Sequence, residues 1–196
     1  MAKLYFTYSA MNAGKSTILL QSAYNYRERG MQVMLWTSGH YREGESETAD
    51  ICSRIGLKAE AYLYRDELNL FELISARMNE GPLNAVFVDE AQFLEGEQVW
   101  QLAHVADRLG VPVMCYGLRT DFQGKLFAGS AALLAIADQI REVRTICHCG
   151  RKATMTARMD SGGRALIEGA QVDVEKAQYV SLCRQHWEEV THIHST

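Results

Sequence analysis

Long apolar runs are missing from this chain. No segment approaches the roughly 20 consecutive apolar residues that cross a bilayer as a helix, which excludes a membrane-spanning helix. The opening Met1-Ala2-Lys3-Leu4-Tyr5 runs into a strand-like pattern and not into the apolar core of a secretory leader, so the expected address is the cytoplasm. Charge of one sign is also lacking. Twenty Lys and Arg stand against 24 Asp and Glu, a formal net charge of -4. A sequence-independent binder of duplex DNA needs the opposite, a basic surface that replaces phosphate counterions, so no nucleic-acid partner and no membrane partner is expected. Cysteine is scarce: five, unevenly spaced in 196 residues, exclude a disulfide scaffold and leave metal, redox or core roles. There is no internal repeat or low-complexity tract. What is present is an ordinary globular mixture, 47% apolar and 22% charged, enough for a sizeable core in one domain with a small appendage.

Periodicity orders the chain as alternating strand and helix. Lys3 to Tyr8 reads as a strand, Lys15 to Arg29 as a helix ended by Gly30, and Met31 to Thr37 as a second strand. Residues Ser38 to Arg54 are polar and weakly periodic and read as a mobile surface loop. Glu67 to Asn79 predicts a helix broken by Gly81-Pro82, and Asn84 to Asp89 a near-continuous apolar strand of the buried parallel kind. A helix from Glu97 to Leu109, a strand from Gly110 to Gly117 and a helix from Leu126 to Ala137 complete a doubly wound, mostly parallel α/β pattern. Beyond Arg144 the character changes to closely spaced cysteines, a polar strand from Thr154 to Asp160 and a Ser161-Gly162-Gly163 turn. The expected division is therefore a nucleotide-binding α/β domain over 1–144 and a small unit over 145–196. At about fifty residues that unit is below the size at which a core suffices, and a metal is the natural staple.

Between the first strand and first helix lies Ser9-Ala10-Met11-Asn12-Ala13-Gly14-Lys15-Ser16-Thr17, a phosphate-binding loop with Ser9 in place of its first glycine. Each residue type has its reason. Gly14 can turn successive amides towards phosphates, Lys15 brings positive charge to the β and γ oxygens, Ser16 can ligate Mg²⁺, and the helix dipole points at the same spot. Asp89 ends the apolar strand, where a carboxylate helps to hold the metal of a phosphate-loop enzyme, and Glu90 follows where it can accept a proton from an attacking hydroxyl. Taken alone, an acidic pair after a strand is more often a helix cap, and it is the phosphate loop beside it that favours the catalytic reading. Cys147, Cys149, Cys183 and His186 supply two close ligand pairs, the set a structural zinc requires, with His148, His192 and His194 as competing ligands. Cys52 and Cys115 have no such partners and read as ordinary residues.

From residues alone three readings stay open. One is a kinase that moves a phosphoryl group to a small-molecule hydroxyl. The second is a RecA-like ATPase in which Glu90 activates water and the zinc unit touches nucleic acid, with Arg151, Lys152, Arg158 and Arg164 a modest basic set. The third is a zinc-stabilised nucleotide-binding module in which Glu90 is only a cap.

Tyr8 to Thr17, Val88-Asp-Glu-Ala-Gln-Phe93, Cys115-Tyr-Gly-Leu-Arg-Thr-Asp-Phe122 and the Cys147 to His186 pattern together resemble the type II thymidine kinases, close to the enterobacterial form, over nearly the whole chain. The resemblance implies a RecA-like phosphate-loop fold with a small C-terminal zinc-stabilised lasso domain. It implies transfer of the ATP γ-phosphoryl group to the 5′-hydroxyl of thymidine or deoxyuridine with Mg²⁺, in nucleotide salvage for DNA synthesis. Carried over residue by residue, Glu90 is the catalytic base and Ser16 and Asp89 serve magnesium. Ser9, Ala10, Met11, Asn12, Ala13, Gly14, Lys15, Ser16, Asp89, Glu90, Ala91 and Gln92 bind ATP. Met11, Phe93, Leu118, Phe122, Thr156, Val172, Val174 and Tyr179 bind the nucleoside, beside a lasso running from about Met159 to Gln178. A structural zinc on Cys147, Cys149, Cys183 and His186, a homotetramer and feedback inhibition by thymidine triphosphate complete the expectation. The chain departs from the family pattern in Val172 to Gln178, which has no glycine, and in Ser38 to Arg42 with its acidic insert.

Overall fold

The computed structural model describes residues 1–40, 46–171 and 178–193. Seven strands form one sheet: β1 (Leu4–Ser9), β2 (Val33–Ser38), β3 (Thr48–Cys52), β4 (Lys58–Tyr64), β5 (Ala85–Val88), β6 (Val113–Leu118) and β7 (Gln139–Glu142). Their order is β3-β4-β2-β5-β6-β1-β7. Every neighbouring pair is parallel except β3 with β4 at one edge. In β5 all four residues are apolar and buried, as in a strand covered on both faces.

Four helices cover those faces: α1 (Lys15–Glu28), α2 (Leu70–Met78), α3 (Gly96–Leu109) and α4 (Ala128–Ile136). Because successive side chains of a strand point to opposite faces, β5 feeds two cores. Val86 and Val88 join Leu70 and Ile74 of α2, Leu102 and Val105 of α3 and Leu133 of α4. Ala85 and Phe87 join Leu19, Leu20 and Ala23 of α1. Helix starts are set locally. The Asn69 side chain accepts from the Glu72 amide at 3.2 Å, and Glu95 with Gln98 forms a capping box for α3. The α4 helix presses on the chain that follows β5 so closely that a Cβ at Gly129 would stand 2.5 Å from the Ala91 carbonyl oxygen and 2.7 Å from that of Leu94. Only glycine permits this approach, which backs the turn carrying the acidic pair.

The second unit is small. Strand β8 (Thr145–Ile146) pairs with β9 (Lys152–Ala153), and β10 (Met155–Met159) lies between β11 (Ala165–Leu166) and β12 (Gln178–Leu182), followed by α5 (Arg184–Thr191). The expected turn is present: the Asp160 side chain accepts from the Gly162 and Arg164 amides, and Gly163 takes a φ of 78°. The apolar centre of this unit is Cys147, Ala153, Ala157, Leu182, Cys183 and Trp187. The Trp187 indole N–H is shared by the carbonyls of Phe122 at 3.1 Å and Thr156 at 3.2 Å, which stitches the unit to the large sheet.

One expectation is corrected. The stretch read as a loop over Ser38 to Arg54 contains the end of β2 and all of β3, which pairs antiparallel with β4. Only Ile51 is buried in β3, so the segment carries almost no periodic signal. A polar edge strand of this kind is defined by its neighbour's hydrogen bonds and not by its own pattern. Among the described residues no helix is long and apolar enough to cross a membrane.

Candidate active site and metal cluster

Strands β1 and β5 flank β6, and the C-terminal ends of all three meet on one side of the sheet. That is where open α/β sheets bind ligands. The loop from Ser9 leaves β1 there and enters α1 through Gly14, whose φ of 88° directs the chain into the helix. Asn12 also takes a left-handed conformation, φ 63°. Lys15 folds back over the loop, its Nζ donating to Ser9 Oγ at 3.1 Å and to the Ala10 carbonyl at 3.5 Å. Burial pulls the Lys15 ammonium below its usual range, and the carboxylates of Glu90 and Asp89 offset this in part.

Across the loop, Ser16 Oγ donates to Asp89 Oδ2 at 2.9 Å. The other carboxylate oxygen, Oδ1, is buried without a hydrogen-bond partner among the described residues. Burial, then the adjacent Glu90, push Asp89 up to about 7, and the Ser16 bond acts against them. A hydroxyl and a carboxylate at the mouth of a phosphate loop, with one carboxylate oxygen unsatisfied, is a donor set that fits a divalent cation arriving with a nucleotide.

Glu90 sits at a φ of 54°, unusual for a residue with a Cβ. Three contacts hold it. The buried Tyr64 hydroxyl donates to its carbonyl at 2.7 Å, the Gln92 side-chain amide donates to its Oε2 at 2.5 Å, and a 3₁₀ turn, Ala91–Phe93, follows directly. Gln92 is itself buried and its Oε1 accepts from the Leu118 amide at 2.9 Å. Gly117 makes room for this, since a Cβ there would lie 2.9 Å from both the Gln92 amide nitrogen and Oε1. Of the two residues after Glu90 that are expected to bind ATP, Gln92 braces the Glu90 carboxylate and Ala91 is buried in the same turn.

The expected nucleoside residues fall into two groups. Thr156 Oγ1 accepts from the Met11 amide at 3.3 Å, Ser181 Oγ donates to the Met11 carbonyl at 2.5 Å, and Asn12 Nδ2 donates to the Tyr179 carbonyl at 3.3 Å. The second unit therefore touches the phosphate loop directly. Phe122 is buried, and Phe93 stacks on His40 and meets Phe127 edge-on, both with ring centroids 5.7 Å apart. Leu118 reaches the acidic pair through Gln92. Val172 and Val174 lie outside the described residues. Nothing in the sequence singled out Tyr64 or Ser181, because each acts through a partner far away along the chain.

Ligand atoms of Cys147, Cys149, Cys183 and His186 all lie within 4.8 Å of one another. His186 Nδ1 is 3.3 Å from the Cys147 sulfur and 3.5 Å from that of Cys183, while the Cys149 and Cys183 sulfurs are 3.9 Å apart. Burial raises the Cys147 thiol, but backbone N–H groups of Cys149 and Cys183, with His186, outweigh it and bring it down to about 5. Three sulfurs and one imidazole nitrogen converging this way fit a structural metal. His148 stacks on His186 with ring centroids 4.2 Å apart. Cys115 is wholly buried in β6 and burial pushes its thiol up, as expected of a core residue.

A phosphate loop at the end of β1, a buried serine–aspartate pair beside it and a braced glutamate one residue further make this a phosphate-loop nucleotide-binding α/β protein. The family model for thymidine kinase matches residues 2–187. A thymidine kinase of Mesorhizobium japonicum is 64% identical over 189 residues, 96% of this chain and 92% of that protein. One of Ruegeria pomeroyi is 62% identical, covering 97% of this chain and 96% of that one, and one of Shewanella oneidensis 52%, covering 96% and 98%. The chain belongs to the thymidine kinase family. Among solved structures, the Pif1 helicase from Candida albicans aligns with 74% of this chain and 36% of that chain at 16% identity and a TM-score of 0.40, too slight a likeness to argue from.

Proposed function

We propose that Glu90 acts as the base in transfer of the ATP γ-phosphoryl group to the 5′-hydroxyl of thymidine, and of deoxyuridine by the same chemistry. As a member of the thymidine kinase family the chain is a phosphotransferase with thymidine as acceptor, in salvage of the nucleotide for DNA synthesis. The observation that carries the mechanism is the direct junction of the phosphate loop with the second unit through Met11, Thr156 and Ser181. It supports a phosphate site on one side of Met11 and a nucleoside site on the other.

Ser9 to Ser16 cradle the triphosphate with backbone amides, and Lys15 neutralises its outer oxygens. Ser16 and Asp89 would hold the Mg²⁺ of Mg·ATP, which supplies charge neutralisation of the leaving group when bound. Glu90 accepts the 5′-hydroxyl proton, its backbone set by Tyr64 and its carboxylate aimed by Gln92. Met11, Phe93, Leu118, Phe122, Thr156 and Tyr179 wall the base. In this reading residues 1–144 bind the nucleotide, and 145–196 hold the lasso on a zinc bound by Cys147, Cys149, Cys183 and His186. A homotetramer in the cytoplasm, inhibited by thymidine triphosphate, belongs to the same proposal.

The deciding measurement is ADP release from Mg·ATP with and without thymidine, with single-stranded DNA as control. Release that requires thymidine is expected. Release that ignores thymidine and rises with DNA would overturn the reading. Sedimentation and inhibition by added thymidine triphosphate check the assembly and the feedback.

A further inference from the structure

Arg158 is a buried cation outside every role assigned so far. Only 3% of it is exposed, and among the described residues no carboxylate pairs with it. Its guanidinium has two kinds of contact. One face lies on the Phe122 ring, with the guanidinium carbon 3.7 Å from the ring centroid. The edge donates to two carbonyls of the segment after β11: Nη1 to Ala170 at 2.7 Å and Nη2 to Glu168 at 2.5 Å. Nε is buried with no hydrogen-bond partner among the described residues.

The residue between those two carbonyls is Gly169, at a φ of 114°. A Cβ there would stand 2.7 Å from Nη2. Glycine is what lets the backbone bend round the guanidinium and offer a carbonyl from each side. Two polar ties run from the loop after β6 to the same segment, Gln123 Nε2 donating to the Ile167 carbonyl at 2.8 Å and Gln171 Nε2 to Asp121 Oδ2 at 3.0 Å. On the small sheet Arg158 lies opposite Tyr179.

We propose that Arg158 is a positioning residue for the nucleoside slot, a clamp that fixes residues 168–170 of the lasso onto Phe122 so that the lasso is preformed before substrate arrives. The placement of thymidine under the lasso rests on the function proposed above. A planar fork with several donors suits this task and an ammonium does not, because two carbonyls must be held in one plane while the face stays free to stack. A charge buried with no counter-ion among the described residues is costly unless its hydrogen bonds are made, so the clamp and the segment stand or fall together.

The test is Arg158→Met beside Arg158→Lys, read by steady-state kinetics, metal content and amide hydrogen exchange. For Arg158→Met the thymidine KM should rise at least about tenfold, the scale of one lost charged hydrogen bond, with the ATP KM and metal content unchanged. Exchange of the amides in 165–171 should quicken, and Arg158→Lys should fall between the two proteins. Equal rises in both KM values, or unchanged exchange and thymidine KM in a folded variant, would overturn the clamp. Should Arg158→Met fail to fold, Gly169→Ala is the second probe, because its Cβ displaces the guanidinium from an exposed position. It should reproduce the split between the two KM values, and an unchanged thymidine KM with unchanged exchange overturns the proposal. Exchange also separates the two ideas: quicker exchange in a chain that ignores thymidine means the clamp stands and the substrate is another.

Discussion

The two halves of the candidate site are held by different means. On the sheet side Asp89 and Glu90 follow a strand buried on both faces between two apolar cores, and α4 presses on the turn behind them through Gly129. On the other side the apolar centre consists of six buried residues, two of them cysteines of the metal cluster. There the chain is placed by polar ties instead: the Cys and His side chains that converge as a candidate metal set, the Arg158 fork, Asp121 and the Trp187 indole. Where apolar area is plentiful, position comes from packing. Where it is scarce, it comes from directional bonds, each with a partner whose loss leaves a buried polar group behind.

The comparison can be broken most severely on the sheet side by chemistry alone. Glu90→Gln keeps the packing, so it should lower kcat by about 10² to 10⁴ with ATP affinity little changed, as expected for loss of a general base. A loss confined to ATP binding, measured by calorimetry, would assign Glu90 to the metal instead. The next largest effect belongs to the other half. Cys183→Ser should abolish metal binding, expected at about one zinc per chain in the parent and checked by metal analysis, and should abolish thymidine binding while ATP still binds. Simultaneous loss of both ligands would mean the halves are not supported independently.

Gly129→Ala tests packing directly. The overpacked contact with Ala91 and Leu94 should cost about 1–3 kcal/mol in urea unfolding and lower turnover, with metal content untouched. The remaining test is a pH effect. Burial and Glu90 hold Asp89 at about 7, against 3.8 ordinarily, so the nucleotide-free folded chain keeps a proton that the unfolded chain has released. Stability therefore falls as pH rises across that window. Asp89→Asn should lose this part of the slope, and parallel melting curves for parent and variant between those pH values would sink the assignment.

Much of the site was legible because its chemistry is local. The phosphate loop occupies nine consecutive residues, Asp89 and Glu90 are adjacent, and the cysteines come in close pairs. Spacing along the chain is then nearly spacing in space. The buried strands were legible for a similar reason, since β5 and β6 are continuous apolar runs. The β3–β4 hairpin was not, because β3 owes its existence to pairing. Nor was the bracing of Glu90 by Tyr64, 26 residues away, or the closing of the phosphate loop onto Ser181, 170 residues on.

By itself the sequence determined the strand–helix alternation, the phosphate loop, the acidic pair and the metal set, all properties of short stretches with their own periodicity or ligand chemistry. Tertiary structure alone decided that Gln92 serves Glu90, that Thr156 and Ser181 grip Met11, and that Arg158 closes on two carbonyls across Gly169. A buried hydrogen bond is defined by which groups converge, and convergence of distant segments leaves no periodic trace in either of them.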